Sequence, residues 1–352
     1  MSICSVKKVA VVGIGKISDI YISNMLQRFD NLTVTGYFDV VRERAENAEK
    51  LYGVGRVYES FEEVLADEEV DIVLNLTRPV DHYDIILRSL QAGKHVYSEK
   101  PLTESLASAK ELAAEAKKRG LYLASAPDTF LGAGIQTCKK LVEDGVIGQV
   151  SGAVAQMVCS GWEYWHPDPD FYYKPGGGPL KDMGPYYLTA LTYLMGEVES
   201  VSGMAKTTFS ERTIKNGYRE GELMTVEIPT WINSILRFKN GAQASLFTSF
   251  DCFFDRESRI ELYGTEGTLL VTDPNWFNGD IKVLDIEKNV FESSPLMGPD
   301  IQNLRGIGIS EMAKAIDEGR PCAASVDRAL HIMAIIEAIE TSIAEGRVVK
   351  VE

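Results

Sequence analysis

The sequence predicts an α/β protein of two domains: a parallel sheet wound with helices, then an α+β domain with mostly antiparallel strands. Three observations carry this. The chain has 352 residues, more than one core usually serves. Its first third alternates short apolar runs with helix-patterned segments, as βαβ units do. Past Pro127 the pattern changes to long β-rich stretches joined by hairpin turns. The expected domains are residues 1–126 and 127–352.

Taken in order, Val9 to Val12 is an apolar run that ends in glycine, as a strand buried on both faces should. Ile17 to Phe29 carries Ile17, Ile20, Tyr21 and Met25 at helical spacing. Thr33 to Phe38 is β-rich and closes on Asp39. Val41 to Leu51 is charged and helical, stopped by Gly53. Val70 to Leu76 is a second buried strand. A helix over His82 to Ala92 stops at Gly93, and a strand over His95 to Ser98 leads into Glu99-Lys100-Pro101. A helix over Ser105 to Arg119 and a strand over Leu121 to Ser125 complete the first domain. One more helix, Ile135 to Asp144, precedes the strand Val150 to Val158. Ile235 to Phe238 and Ala242 to Phe250 flank Asn240-Gly241, a strong hairpin signal. Ile260 to Tyr263 and Thr268 to Val271 flank the turn Gly264-Thr265-Glu266-Gly267. Two helices end the chain, and Ile332, Ile335, Ile336, Ile339 and Ile343 make one apolar core stripe on the last.

Composition excludes several classes. Hydrophobic residues are 45% and charged residues 25%, as in globular proteins. The formal net charge of −15 repels phosphates, which argues against nucleic acid or an anionic membrane as partner. Cys4, Cys138, Cys159, Cys252 and Cys322 are scattered and form no CxxC pair, so neither a disulfide framework nor a metal site is expected. That pattern fits a reducing cytoplasm. Met1 to Lys8 does not read as a signal peptide, and no uncharged apolar stretch is long enough to span a bilayer.

Gly13-Ile14-Gly15-Lys16-Ile17-Ser18 lies between the first strand and the first helix. In that context the glycines point to a Rossmann dinucleotide site. Gly13 permits the tight turn, Gly15 lets backbone approach a pyrophosphate, and Lys16 and Ile17 lead into a helix N-terminus with free N–H groups. Ser18 replaces the third glycine of the strict fingerprint but is small. Asp39 stands where an acid accepts from an adenosine ribose, so NAD is expected, with NADP possible because Arg42 and Arg44 follow closely. Asp39 also suits a helix N-cap, and both roles can hold.

Three more segments carry a resemblance: Thr77 to His82, Ala92-Gly93-Lys94-His95-Val96 through Glu99-Lys100-Pro101, and Gly176-Gly177-Gly178 through Asp182-Met183-Gly184-Pro185-Tyr186. With the Tyr263 to Gly267 stretch, they make the chain resemble the Gfo/Idh/MocA family, which includes glucose–fructose oxidoreductase, inositol dehydrogenase and dihydrodiol dehydrogenase. The resemblance implies a Rossmann domain followed by a large, mostly antiparallel sheet. One face of that sheet commonly joins subunits, so a homodimer or homotetramer is expected. It places Glu99 and Lys100 at the nicotinamide end, with Lys100 directed at the reacting oxygen, and Thr77 and His82 along the cofactor. Where many members carry D-x-x-x-H, this sequence has Asp182 and Tyr186. The glucose–fructose oxidoreductase and dihydrodiol dehydrogenase branches are similar in this, so a histidine base is not carried over.

Hydride transfer between an alcohol and a nicotinamide needs a proton acceptor at the oxygen. Tyr186 can serve if the Lys100 cation favours its phenolate, and the same cation would stabilise alkoxide charge. Asp182 could hold a substrate hydroxyl. Tyr187 is the neighbouring rival to Tyr186. The aromatic stretch Trp162, Tyr164, Trp165, His166, Phe171, Tyr172 and Tyr173 suits either sugar stacking or a subunit contact, with Trp165 and Tyr172 as substrate candidates. Asp128 is a further candidate to line the cleft, and Gly176 to Gly178 should let backbone pass close to ligand or sheet. The expected activity is NAD(P)-dependent oxidation or reduction of a sugar-like alcohol or carbonyl. A hydrolase or lyase that retains NAD and oxidises its substrate transiently is the alternative; a non-catalytic sugar sensor ranks last, because Lys100, Asp182 and Tyr186 are all kept.

Overall fold

The structure is a computed structural model and describes residues 5–253 and 260–352. Cys4 and the opening of the Met1 to Lys8 segment lie outside them. The described chain runs β1 (Lys7–Val12), α1 (Ser18–Arg28), β2 (Leu32–Phe38), α2 (Arg42–Tyr52), β3 (Arg56–Val57), α3 (Phe61–Ala66), β4 (Ile72–Asn75), α4 (Pro79–Gln91), β5 (His95–Ser98), α5 (Leu106–Arg119) and β6 (Leu123–Ser125). It continues through α6 (Ala133–Glu143), β7 (Val150–Val158), α7 (Pro179–Asp182), α8 (Gly184–Met195), β8 (Val198–Lys206), β9 (Glu211–Thr213), β10 (Leu223–Thr225), β11 (Trp231–Phe238) and β12 (Gln243–Ser249). Then come β13 (Ile260–Gly264), β14 (Thr268–Val271), β15 (Lys282–Asp285), β16 (Val290–Ser293), α9 (Ile307–Glu318), α10 (Val326–Glu345) and β17 (Val349–Lys350).

Two compact units emerge, residues 1–131 with 303–330, and residues 132–302 with 331–352, so α10 straddles the division and α9 clusters with the N-terminal part. In the first unit, six parallel strands lie in the order β3-β2-β1-β4-β5-β6. Strand β1 sits where the order reverses, and its C-terminal end is where such sheets take ligands. Val9 to Val12 and Ile72 to Leu74 are fully buried, which is why both strands read as unbroken apolar runs. Gly53 and Gly120 end α2 and α5 in the left-handed conformation. Helix α4 begins three residues before the expected His82, because Pro79 suits a first helical turn.

In the second unit nine of the described strands form one sheet in the order β16-β15-β14-β13-β7-β12-β11-β8-β17, and β9 and β10 pair antiparallel apart from it. The Asn240-Gly241 hairpin pairs Arg237 with Gln243, and Tyr263 pairs with Thr268, both antiparallel as expected. Strands β7 and β12 pair parallel within this otherwise antiparallel sheet. Burial alternates along β11, so one face is covered and one is open. On the covered face α10 packs closely: a Cβ at Gly203 would lie 3.0 Å from Ile343, and the Gly203 N–H donates to Ser342 Oγ at 3.0 Å. Among the described residues no helix is long and apolar enough to cross a membrane.

Candidate functional site

In the first unit, the loop after β1 is built for close approach. Gly13 has φ +93°, and a Cβ there would lie 2.7 Å from the Leu76 carbonyl carbon and the Thr77 nitrogen. Conformation and space therefore both require glycine. Gly15 is exposed with nothing within 4 Å of a Cβ, the open side of the cradle. Lys16 and Ile17 are exposed beside it. Ser18, fully buried, donates its hydroxyl to the Gly15 carbonyl at 2.7 Å and so closes the loop in place of a third glycine. No side chain caps the N-terminus of α1, where the Ser18 N–H donates to the Gly15 carbonyl at 3.1 Å, and the end of the helix suits an anion.

Asp39 ties this loop to β2. Its Oδ2 accepts from the Ile14 N–H at 2.7 Å and its Oδ1 from the Val41 N–H at 2.8 Å. Val41, not Asp39, occupies the N-cap position of α2. A carboxylate has about four acceptor sites, so both oxygens can still accept from a ribose. Arg44 Nη1 lies 3.7 Å from Asp39, whereas Arg42 is drawn away by Glu46 and Glu59. The open loop, the uncapped helix and the anchored acid fit a dinucleotide: residues 13–17 would meet its pyrophosphate and Asp39 its ribose.

At the ends of β4 and β5, Asn75 organises the neighbouring turns. It is fully buried, donates to Ser98 Oγ at 3.1 Å, and its Oδ1 accepts from the Thr77 hydroxyl at 2.6 Å. His82 is also fully buried: Nδ1 faces the Pro101 carbonyl at 2.7 Å and Nε2 the Thr77 carbonyl at 3.0 Å. The side chains of Thr77 and His82, expected along the cofactor, thus bond to protein, and His82 clamps the Thr77 turn to the Glu-Lys-Pro turn. Glu99 is held at both oxygens, by the Tyr21 hydroxyl at 2.7 Å and the Lys100 N–H at 2.9 Å. Burial, then the Glu99 charge, pushes the Tyr21 phenol well up, so it stays a donor. Lys100 is half-buried on the same turn.

Asp128 is not a lining residue. It is 1% exposed, and its Oδ2 accepts from the N–H groups of Gly306 and Gly308 at 2.9 and 3.0 Å, capping α9 from outside. Burial pushes its carboxyl up to about 6 against the pull of those N–H groups and Arg305.

In the second unit, Asp182 ends α7 and Tyr186 lies in the first turn of α8. Asp182 Oδ2 accepts from the Trp162 indole N–H at 2.9 Å. Tyr186 is 8% exposed and Tyr187 1%, so Tyr186 keeps the greater access of the two. The Trp162 ring packs against Trp165, Tyr172 and Phe250 with centroids 5.7, 5.7 and 5.3 Å away. Trp165 is exposed and Tyr172 half-buried. The triple glycine approaches this aromatic loop rather than the sheet: a Cβ at Gly177 would collide with the Phe171 and Tyr172 carbonyls. Beneath the loop lies a buried group that the sequence reading missed. Arg212 pairs with Glu163 and Asp251, and the Tyr173 hydroxyl donates to Glu163.

Comparison with known proteins agrees with both halves. Residues 7–126 match the family model of the oxidoreductase family with an NAD-binding Rossmann fold, and residues 135–270 match the GFO/IDH/MocA C-terminal domain. The chain is 25% identical to myo-inositol 2-dehydrogenase of Thermotoga maritima, over 98% of each chain. It is 25% identical to trans-1,2-dihydrobenzene-1,2-diol dehydrogenase of Bos taurus, over 78% of this chain and 76% of that one. Among solved structures, aldose–aldose oxidoreductase from Caulobacter crescentus, complexed with glycerol, aligns with a TM-score of 0.81 at 25% identity, over 98% of this chain and 99% of that one.

Proposed function

Since the chain belongs to the Gfo/Idh/MocA family of NAD-binding oxidoreductases, we propose that it oxidises a secondary hydroxyl of a sugar, polyol or related cyclic alcohol, or runs the reverse reduction. The observation that carries the substrate side is Asp182, fixed by an indole N–H, four residues ahead of Tyr186, the more accessible tyrosine of its pair. NAD, held by residues 13–17 and Asp39, would supply the acceptor for the hydride that leaves the carbon bearing the hydroxyl. Tyr186 takes the hydroxyl proton and Asp182 holds a neighbouring hydroxyl, while the Lys100 cation is suited to stabilise an oxygen that gains charge. Glu99, anchored by Tyr21, positions the Lys100 turn. Trp165 and Tyr172 offer ring faces to the C–H side of a sugar.

NAD is preferred to NADP, because a 2′-phosphate would meet the Asp39 carboxylate, which Arg44 offsets only in part across 3.7 Å. The test is reduction of NAD and NADP across aldoses, inositols, polyols and glycosides. Turnover of at least one with NAD preferred, and that preference reduced in Asp39→Ala, is the expected result. Silence across the panel with NAD co-purifying would reject net dehydrogenation and favour the retained-cofactor elimination.

The open face of the second sheet presents Met204 and Ile235, exposed on the adjoining strands β8 and β11, and Tyr263 on β13, with the Trp231 ring tilted against Phe247 at a centroid distance of 4.8 Å. This apolar surface supports a homodimer, or a homotetramer that contains it. Light scattering should give a multiple of the chain mass, and Ile235→Asp should reduce it; a monomer mass for the native protein would reject the reading. A cytoplasmic location suits the free thiols of Cys138, Cys159, Cys252 and Cys322; fractionation of the source cells tests it.

A further inference from the structure

Trp162 stands between two kinds of environment. Its indole reaches Asp182, at the candidate substrate site. Its backbone is fastened to a buried cluster of charges. The Trp162 N–H donates to the Tyr173 hydroxyl at 3.1 Å, and that hydroxyl donates to Glu163. Glu163 and Asp251 flank Arg212, and the Thr230 hydroxyl donates to Asp251 at 2.7 Å. Glu163, Arg212 and Asp251 are all buried. Gly161, at φ +105°, admits no Cβ: one would collide with Glu163, Tyr173 and Arg212. The indole is thus held at its backbone by hydrogen bonding and at its ring by Phe250, Trp165 and Tyr172. Buried charge pairs are costly to desolvate, so a connecting loop has no evident need of them.

We propose that Trp162 is a positioning residue for Asp182, and that its indole N–H sets the orientation in which Asp182 meets a substrate hydroxyl and so determines which epimer is accepted. The inference rests on the proposed dehydrogenase reading for the role of Asp182. A carboxylate turns freely about its terminal torsion unless a donor fixes it, and that torsion has broad, shallow preferences. With one oxygen committed to a rigid neutral donor, the carboxylate plane is defined. A substrate hydroxyl in the wrong configuration then cannot be met by rotation. Charge-assisted hydrogen bonds of this kind are strong enough to make the difference visible.

Trp162→Phe keeps a ring to pack against Phe250, Tyr172 and Trp165 and removes only the donor. The expected kinetic result is a loss of about tenfold in the kcat/KM ratio between substrates epimeric at the carbon next to the oxidised one, as one lost hydrogen bond to a charged group predicts. A merely structural role would lower both epimers alike. The second measurement needs no activity and no variant at Trp162: the indole 15N–1H signal of Trp162 should shift in Asp182→Asn, where the charged acceptor of its hydrogen bond is gone. An indole signal indifferent to Asp182→Asn, or unchanged epimer discrimination in a folded Trp162→Phe, overturns the proposal. An indole coupled to Asp182 in a protein that oxidises no alcohol would instead put the fault in the dehydrogenase reading.

Discussion

Lys100→Met is expected to lower kcat by about 10²–10³-fold, the scale seen when one preorganised donor is removed from a developing oxyanion. The side chain is half-buried on the turn that follows β5, and its backbone is pinned by Glu99, which Tyr21 holds in turn. Methionine keeps much of the stem and removes the charge. Lys100→Arg should rescue little, since a planar guanidinium does not replace a compact ammonium. Binding of NADH, followed by its fluorescence, should change little, because residues 13–17 and Asp39, proposed to hold the pyrophosphate and ribose, lie elsewhere on the unit. Near-native kcat in Lys100→Met would remove Lys100 from the chemistry.

The parts legible in the sequence are those whose signal is local. The strand Val9 to Val12, the glycine turn and Asp39 lie within one βα unit and its successor, and short-range pattern is enough to place them. Even there a local signal was passed over: Ser60 accepts from the Glu63 N–H at 3.2 Å while Glu63 reaches back to the Glu59 N–H at 2.8 Å, a reciprocal cap that marks the start of α3 in the sequence Ser60-Phe61-Glu62-Glu63. Direction of side chains was harder. His82 and Asp128 are polar residues beside a candidate site, and pattern alone cannot say that both face inward to satisfy backbone groups. The Trp162–Asp182 bond and the Glu163–Arg212–Asp251 cluster join residues from separate segments of the chain, and no periodicity encodes such pairs. The parallel β7–β12 pair is hidden for the same reason, since each strand reads alike whichever way its neighbour runs.

The cluster under the aromatic loop gives the second large effect. Arg212→Met should destabilise the protein by about 3–5 kcal/mol, the usual result of removing one partner from a buried ion pair. Arg212 also donates to the carbonyls of Ser160 at 3.2 Å and Phe250 at 3.0 Å, so backbone acceptors lose partners as well. What remains is two enclosed carboxylates, Glu163 and Asp251, with their cation gone. Burial and mutual repulsion both disfavour two carboxylates left without their cation. The deficit of Arg212→Met relative to the native protein is measured by urea unfolding with tryptophan fluorescence. Adding Glu163→Gln and Asp251→Asn to Arg212→Met should recover a large part of the loss at pH 8, since the uncompensated charges are then gone while acceptors for Tyr173 and Thr230 remain. No recovery in the triple variant would mean that Arg212 stabilises the loop by packing against Tyr173 and Phe209, whose ring centroids each lie 5.2 Å from its guanidinium, and not by balancing charge.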